Sequence, residues 1–250
     1  MTARALPTVP VLHSEWIKIR SLPGTLGALV AILAATVGIQ VLMAVMIGPS
    51  EVARPGSDPL RLAFYGVGFG QIAAITFGTK AVACEFHNGA LRTSLGAVPQ
   101  RTRFYLSKIV VVGALALVAG QLSGIVTFVA GQVLMGERAL GAGSPGVVRA
   151  VVGSGLYLAL MMLFAAGLTA ILRSGTAVLS VLIPFVLLVS FVIGDHVGGL
   201  GQYLPDRAGQ LVLSTHPQGD LGPWVGLGVT ALWAVAALVA GGIAVRRRDA

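Results

Sequence analysis

Cutting the chain at every Asp, Glu, Lys and Arg leaves six long uncharged stretches, 21–50, 62–79, 109–136, 150–172, 174–194 and 221–245. An apolar helix needs about 20 residues to cross a hydrocarbon core of about 30 Å. Five stretches meet that length directly. The second reaches it by running past Lys80 to Cys84, with the Lys80 ammonium snorkelling to the interface. A transmembrane barrel would instead show alternating segments of about ten residues, and none is present. The pattern predicts an all-α integral membrane protein of six spans, at about 24–48, 61–84, 107–135, 149–172, 175–194 and 222–245, in a single domain over 1–250. The first stretch is too long for a signal-peptide core and follows about 20 mixed residues.

Two shorter amphipathic segments stand between these stretches. In 11–21, Leu12, Trp16 and Ile19 recur at i, i+4, i+7, and Glu15 precedes Lys18 at i, i+3. That reads as an interfacial helix, with Trp16 at headgroup level and Lys18 and Arg20 toward lipid phosphates. Pro23-Gly24 then breaks the chain before the first span. In 85–108, Leu91, Leu95 and Val98 share a helical face while Arg92 and Ser94 turn elsewhere. Asn88 is placed to cap this short helix and Pro99 to end it. Arg101, Arg103 and Lys108 then anchor the return into the third span. A helix lying between two spans is a lever on both. The stretch 195–221 reads as an outer loop, broken by Gly198-Gly199, Pro205 and Pro217.

Composition closes off the alternatives. Charged residues are 10% and hydrophobic residues 56% of the 250, and the mean hydropathy is +0.89. A soluble domain carries about 25% charge, so this surface cannot face water, and it is too apolar for disorder. The net charge of +8 would point to nucleic acid in a soluble domain. In a membrane chain it reads as positive-inside bias, with no nucleic-acid partner. Of the 17 basic residues, 12 fall on the termini and the connections after spans 2 and 4, and five on the alternate connections. Acids lean the other way, so both termini are expected in the cytoplasm. The lone Cys84 excludes an internal disulfide.

The missing chemistry narrows the function. None of the three lysines, Lys18, Lys80 and Lys108, follows a glycine, so there is no P-loop. Neither a zinc-protease His-Glu-x-x-His nor a Gly-x-Ser-x-Gly elbow occurs, and no Asp, Glu, Lys or Arg sits mid-span. The expectation is a chain that is not an enzyme, with no catalytic residue and no bound cofactor or metal. Gln40, Gln71 and Thr76 are candidate path-lining groups, with interhelical hydrogen bonding as the plainer reading. The spacings Gly66-x-x-x-Gly70 and Gly120-x-x-x-Gly124 allow close helix contact.

The segment Ser14-Glu-Trp-Ile-Lys-Ile-Arg-Ser21 resembles the opening of permease subunits of type 2 ATP-binding-cassette (ABC) exporters, notably actinobacterial ones. Glu85-Phe86, Gly89-Ala-Leu-Arg92-Thr93, Pro99, Arg101 and Lys108 resemble that family's coupling segment, with departures at Ala90, Gln100 and Pro23-Gly24. The resemblance implies a multi-pass permease of the bacterial cytoplasmic membrane. It implies pairing with a second permease copy or paralogue, and drive by separate ABC ATPase subunits that hold ATP and magnesium. It also implies short re-entrant helices in 195–221. On this reading Glu85, Asn88, Gly89, Leu91, Arg92 and Thr93 couple to the ATPase, with Glu85, Gly89 and Arg92 at the centre. The alternative class is a non-transport membrane protein, an assembly, immunity or regulatory factor.

Overall fold

In the computed structural model, residues 8–46, 56–87, 89–136, 140–141, 143–189, 198–215 and 220–247 are described. Those residues are overwhelmingly helical and include no strand. The helices are α1 (Thr8–Ser21), α2 (Pro23–Met46), α3 (Pro59–Ala63), α4 (Tyr65–Ala83), α5 (Ala90–Ala97), α6 (Arg101–Met135), α7 (Val147–Leu172), α8 (Gly175–Pro184), α9 (Pro205–Gln210) and α10 (Pro223–Arg247). Five are long and apolar enough to cross a membrane: α2, α4 with the 3-10 turn that extends it to Phe86, α6, α7 and α10. The multi-pass character expected from the uncharged stretches is therefore present.

Of the stretch expected as a span at 175–194, the described part is an apolar helix over Gly175–Leu188, against the roughly 20 residues a straight crossing needs. Pro184 lies inside it and can donate no backbone hydrogen bond, and the helix continues as a π-turn over Phe185–Val189. The rest of that stretch lies outside the described residues.

Buried helices sit at the centre and half-buried ones outside. α4 and α7 are the most enclosed of the long helices, and α2, α6 and α10 pack around them. α2 turns one stripe inward, Thr25, Ala28, Ile32, Thr36, Gln40 and Ala44, and exposes Val30, Leu42 and Val45 on the other side. An apolar outer surface of that kind is what a lipid-facing helix presents.

Small residues set the helix spacing. Gly66 and Gly70 of α4 lie on Thr36 of α2, and Gly78 of α4 lies on the Met162 backbone of α7. Gly120 and Gly124 of α6 face Gly155 and Ser154 of α7. Both glycine spacings seen in the sequence thus sit at helix contacts, where the absent Cβ lets backbones touch.

α6 has 35 residues, a length of about 50 Å at roughly 1.5 Å per residue. It outruns the bilayer core and begins two turns earlier than the span expected from 107. The excess carries Arg101 and Arg103 beyond the apolar stretch. Arg101 Nη1 donates to the Val245 carbonyl at 3.3 Å, so the start of α6 and the end of α10 meet at one end of the bundle. Arg173, after α7, lies over the Phe86 ring at that same end. The stretch expected as an outer loop is short helical pieces: Gly198–Tyr203, α9, and a turn over Leu211–Leu213. α9 and the Leu211–Leu213 turn pack on α7 and α10, and Gly198–Tyr203 packs on α9.

Candidate functional site

The basic end of the bundle is held by local geometry at two junctions. α1 stops at Ser21, and Pro23 starts α2 without needing a donor. Thr25 Oγ1 donates to the carbonyls of Ile19 at 2.6 Å and Leu22 at 2.7 Å, which occupies groups the end of α1 leaves open. At the second junction α4 tightens into a single 3-10 turn, Cys84–Phe86, which carries Glu85 inward. The chain then extends at His87 and reverses through Gly89 at φ 73, a left-handed conformation that glycine adopts without Cβ strain, to begin α5.

These junctions bring four charges together. Lys108 Nζ lies 2.8 Å from Glu15 Oε2 and 2.6 Å from Glu85 Oε1, and donates to the Ala81 carbonyl at 3.5 Å. Lys18 Nζ lies 2.8 Å from Glu15 Oε1, 3.2 Å from Glu85 Oε1 and 3.0 Å from Ser94 Oγ. It also sits 5.4 Å from the centroid of the Phe104 ring, a cation–π arrangement. Ser94 Oγ donates to Glu85 Oε2 at 2.9 Å.

Each ammonium has three protons, and each finds three oxygens. Every carboxylate oxygen faces a cation or a hydroxyl. Two glutamates and two lysines sum to zero formal charge. Glu15, Glu85 and Lys108 are 1%, 3% and 2% exposed, a burial that charges tolerate only when paired and hydrogen-bonded. The knot fastens α1, the end of α4, α5 and the start of α6 at one point. Among the described residues no group of three or more His, Cys, Asp or Glu could hold a metal.

The sequence-based site residues divide on this geometry. Glu85, expected to meet a partner's charge or to cap the short helix, turns inward and is held by Lys108, Lys18 and Ser94. Its neighbours on α5 turn outward: Arg92 and Thr93 are exposed, and Leu91 is buried on the opposite face. Leu95 and Val98 are half-buried beside Leu91. Gly89 is exposed and Asn88 lies outside the described residues. The helix begins after Gly89 instead.

The inward stripe of α1 is Val11, Glu15 and Ile19, not Leu12, Trp16 and Ile19. Trp16 and Arg20 are exposed. Glu15 outbids Trp16 for the inner face because it meets two cations there. Lys18, expected toward lipid phosphate, points into the knot, and Lys108, expected as an interfacial anchor, is buried within it. Sequence reasoning missed Ser94 and the joining of all four charges. The available signal was that the described acids of this end, Glu15 and Glu85, each have a lysine within helical or tertiary reach.

The candidate path-lining groups have interhelical or local partners. Gln40 Nε2 donates to the Leu62 carbonyl at 3.0 Å, and its Oε1 accepts from the Gly66 N–H at 3.1 Å. It thereby seals the break at Phe64 between α3 and α4. Gln71 Nε2 donates to the Gly68 carbonyl at 2.7 Å, and its Oε1 accepts from the Tyr157 hydroxyl. That hydroxyl also accepts from Gln210 Nε2 at 3.2 Å. Thr76 Oγ1 donates to the Ile72 carbonyl of its own helix at 2.8 Å.

At the end of the bundle away from the knot, Asp58 caps α3 through the Leu60 and Arg61 N–H groups. It also accepts from the Thr215 N–H at 2.7 Å and the Thr215 hydroxyl at 2.8 Å. Comparison with known proteins adds nothing to this geometry: no family model matches the chain, and no curated protein matches it.

Proposed function

We propose that this chain is the membrane-spanning permease subunit of an ATP-driven ABC exporter, of the type 2 class its sequence resembles. On this reading it crosses the bacterial cytoplasmic membrane six times with both termini in the cytoplasm. It forms the translocation path with a second copy or a paralogue. Separate ATPase subunits hold ATP and magnesium, and this chain binds neither.

The observation that carries the reading is the knot beneath α5. A push on α5 from outside reaches Ser94 and Glu85 directly. Lys18 and Lys108 then pass it to α1 and α6, and Glu85 is itself the continuation of α4. Sliding one element alone would leave a carboxylate or an ammonium buried without its partner, which costs about 3–5 kcal/mol. The elements therefore move together or not at all, which is the behaviour an alternating-access lever needs. Arg92 and Thr93, on the outer face of α5, are the ATPase contact, and Glu85 is the positioning residue behind them.

The test is affinity purification of the full chain in mild detergent, with identification of partners. An ABC ATPase subunit is expected to co-purify, and the chain stripped of it is expected to hydrolyse no ATP. Arg92→Glu should weaken retention of the ATPase more than tenfold while membrane insertion is unchanged, because opposing a desolvated charge costs about 2–5 kcal/mol. A wild-type purification that brings down no ATPase, or an R92E chain that retains it fully, rejects the reading.

A further inference from the structure

A groove of about 800 Å³ opens between α1 and the first three turns of α6. Leu12 of α1 forms one wall. Gln100, Arg103, Leu106, Ser107 and Val110 form the floor and the other wall. Arg103, Leu106, Ser107 and Val110 fall at i, i+3, i+4, i+7, so they make a single stripe down α6. The stripe is polar and cationic at its start and apolar below. Leu106 and Val110 are 55% and 58% exposed, and the same stripe continues to Leu117. Trp16, one turn beyond Leu12 on α1, is exposed beside it.

Charge at this end favours an anion. Among the described residues, the acids here are Glu15 and Glu85, and both are neutralised inside the knot. By sequence, the segments that form this end hold Arg20, Arg92, Arg101, Arg103, Arg173, Arg246 and Arg247 against the acids Glu15, Glu85 and Asp249, an excess of positive charge. A basic pocket beside a membrane helix, continued by an apolar stripe, has the chemistry of an anionic lipid: phosphate above, acyl chain below.

We infer that the α1–α6 groove is a binding site for an anionic phospholipid of the bilayer, with its phosphate at Arg103 and Gln100 and an acyl chain along Leu106 and Val110. The site depends on the chain spanning a membrane and not on the exporter reading. A lipid wedged there would brace α1 against α6. The stability of the knot then becomes sensitive to the lipid composition of the leaflet.

The experiment is native mass spectrometry of the full chain in mild detergent, with phosphatidylglycerol and phosphatidylcholine of matched acyl chains added in equal amounts. The wild type should retain phosphatidylglycerol over phosphatidylcholine by about fivefold, the factor that one basic residue near an anionic surface provides. Arg103→Gln should bring the ratio near unity, and Arg103→Lys should keep most of it. Arg61→Gln, at the other end of the bundle, should leave it unchanged. Millimolar glycerol 3-phosphate should displace nothing, because the acyl chain supplies part of the binding. Equal retention of both lipids by the wild type, an R103Q ratio like the wild type's, or displacement by the free phosphate each overturns the inference.

Discussion

The knot at the basic end and the polar seam between α4, α7 and α9 solve one problem by opposite means. Both bury polar atoms among apolar helices. The knot uses two full anions and two full cations, which cancel, and Glu15 Oε2 meets Lys108 as an ion pair at 2.8 Å without a hydrogen bond. The seam uses the neutral groups Gln71, Tyr157 and Gln210, and carries its hydrogen bonds through one hydroxyl. The difference lies in what each can lose. Removing a neutral partner costs its hydrogen bonds and strands no charge. Removing a charge strands its opposite in a low-dielectric interior, where hydration cannot replace it. A joint that must hold several elements in register gains from that penalty. A seam that only fixes helix rotation does not need it.

Lys108→Met breaks the comparison most severely. It leaves Glu15 and Glu85 buried with one cation between them, and should destabilise the protein by about 3–5 kcal/mol. Thermal unfolding in detergent will read this as a large drop in midpoint. Adding Glu85→Gln to it should recover part of the loss, since the stranded charge is then gone. If the double variant is no more stable than K108M alone, the knot is not held by charge balance.

Gly78→Val tests close packing against both polar devices. A Cβ there would meet the Met162 backbone, and backbone cannot move aside as a side chain can. The expected cost is about 1–3 kcal/mol, with α4 and α7 forced apart. The same unfolding assay checks it, with Gly68→Val as the reference, because nothing lies near a Cβ at that site.

Tyr157→Phe should cost least. It removes the hydroxyl shared by Gln71 and Gln210 at constant shape, for a loss of about 1 kcal/mol. A fall as large as that of K108M would show that the seam is as tightly coupled as the knot, and the contrast between the two would collapse.

Much of the fold was legible because lipid solvation is read one residue at a time. Each uncharged stretch long enough to cross the membrane announces itself, and three of the five long apolar helices, α2, α7 and α10, follow the stretches cut at charges to within a few residues, while α6 starts earlier than its own. α4 was harder, because Lys80 interrupts it. Its exposed ammonium reaches out as snorkelling requires. The outward face of α5 was legible too, from the spacing of Leu91, Leu95 and Val98. The inward face of α1 was not. Helical periodicity weighs Trp16 as apolar and Glu15 as polar, and it cannot know that two lysines wait on the inside.

The sequence by itself determined that this chain is a bundle of apolar helices with a basic end, because transfer into a lipid-like environment depends on local composition alone. It also determined where glycine permits helices to touch. Only the tertiary structure decided which charged groups are buried and which face out. The partners of Glu85 in the knot come from 67, 9 and 23 residues away, and those of Gln40 and Tyr157 from other helices. Whether a buried charge is a cost or a fastening depends on what stands opposite it, and that is a property of the assembled bundle.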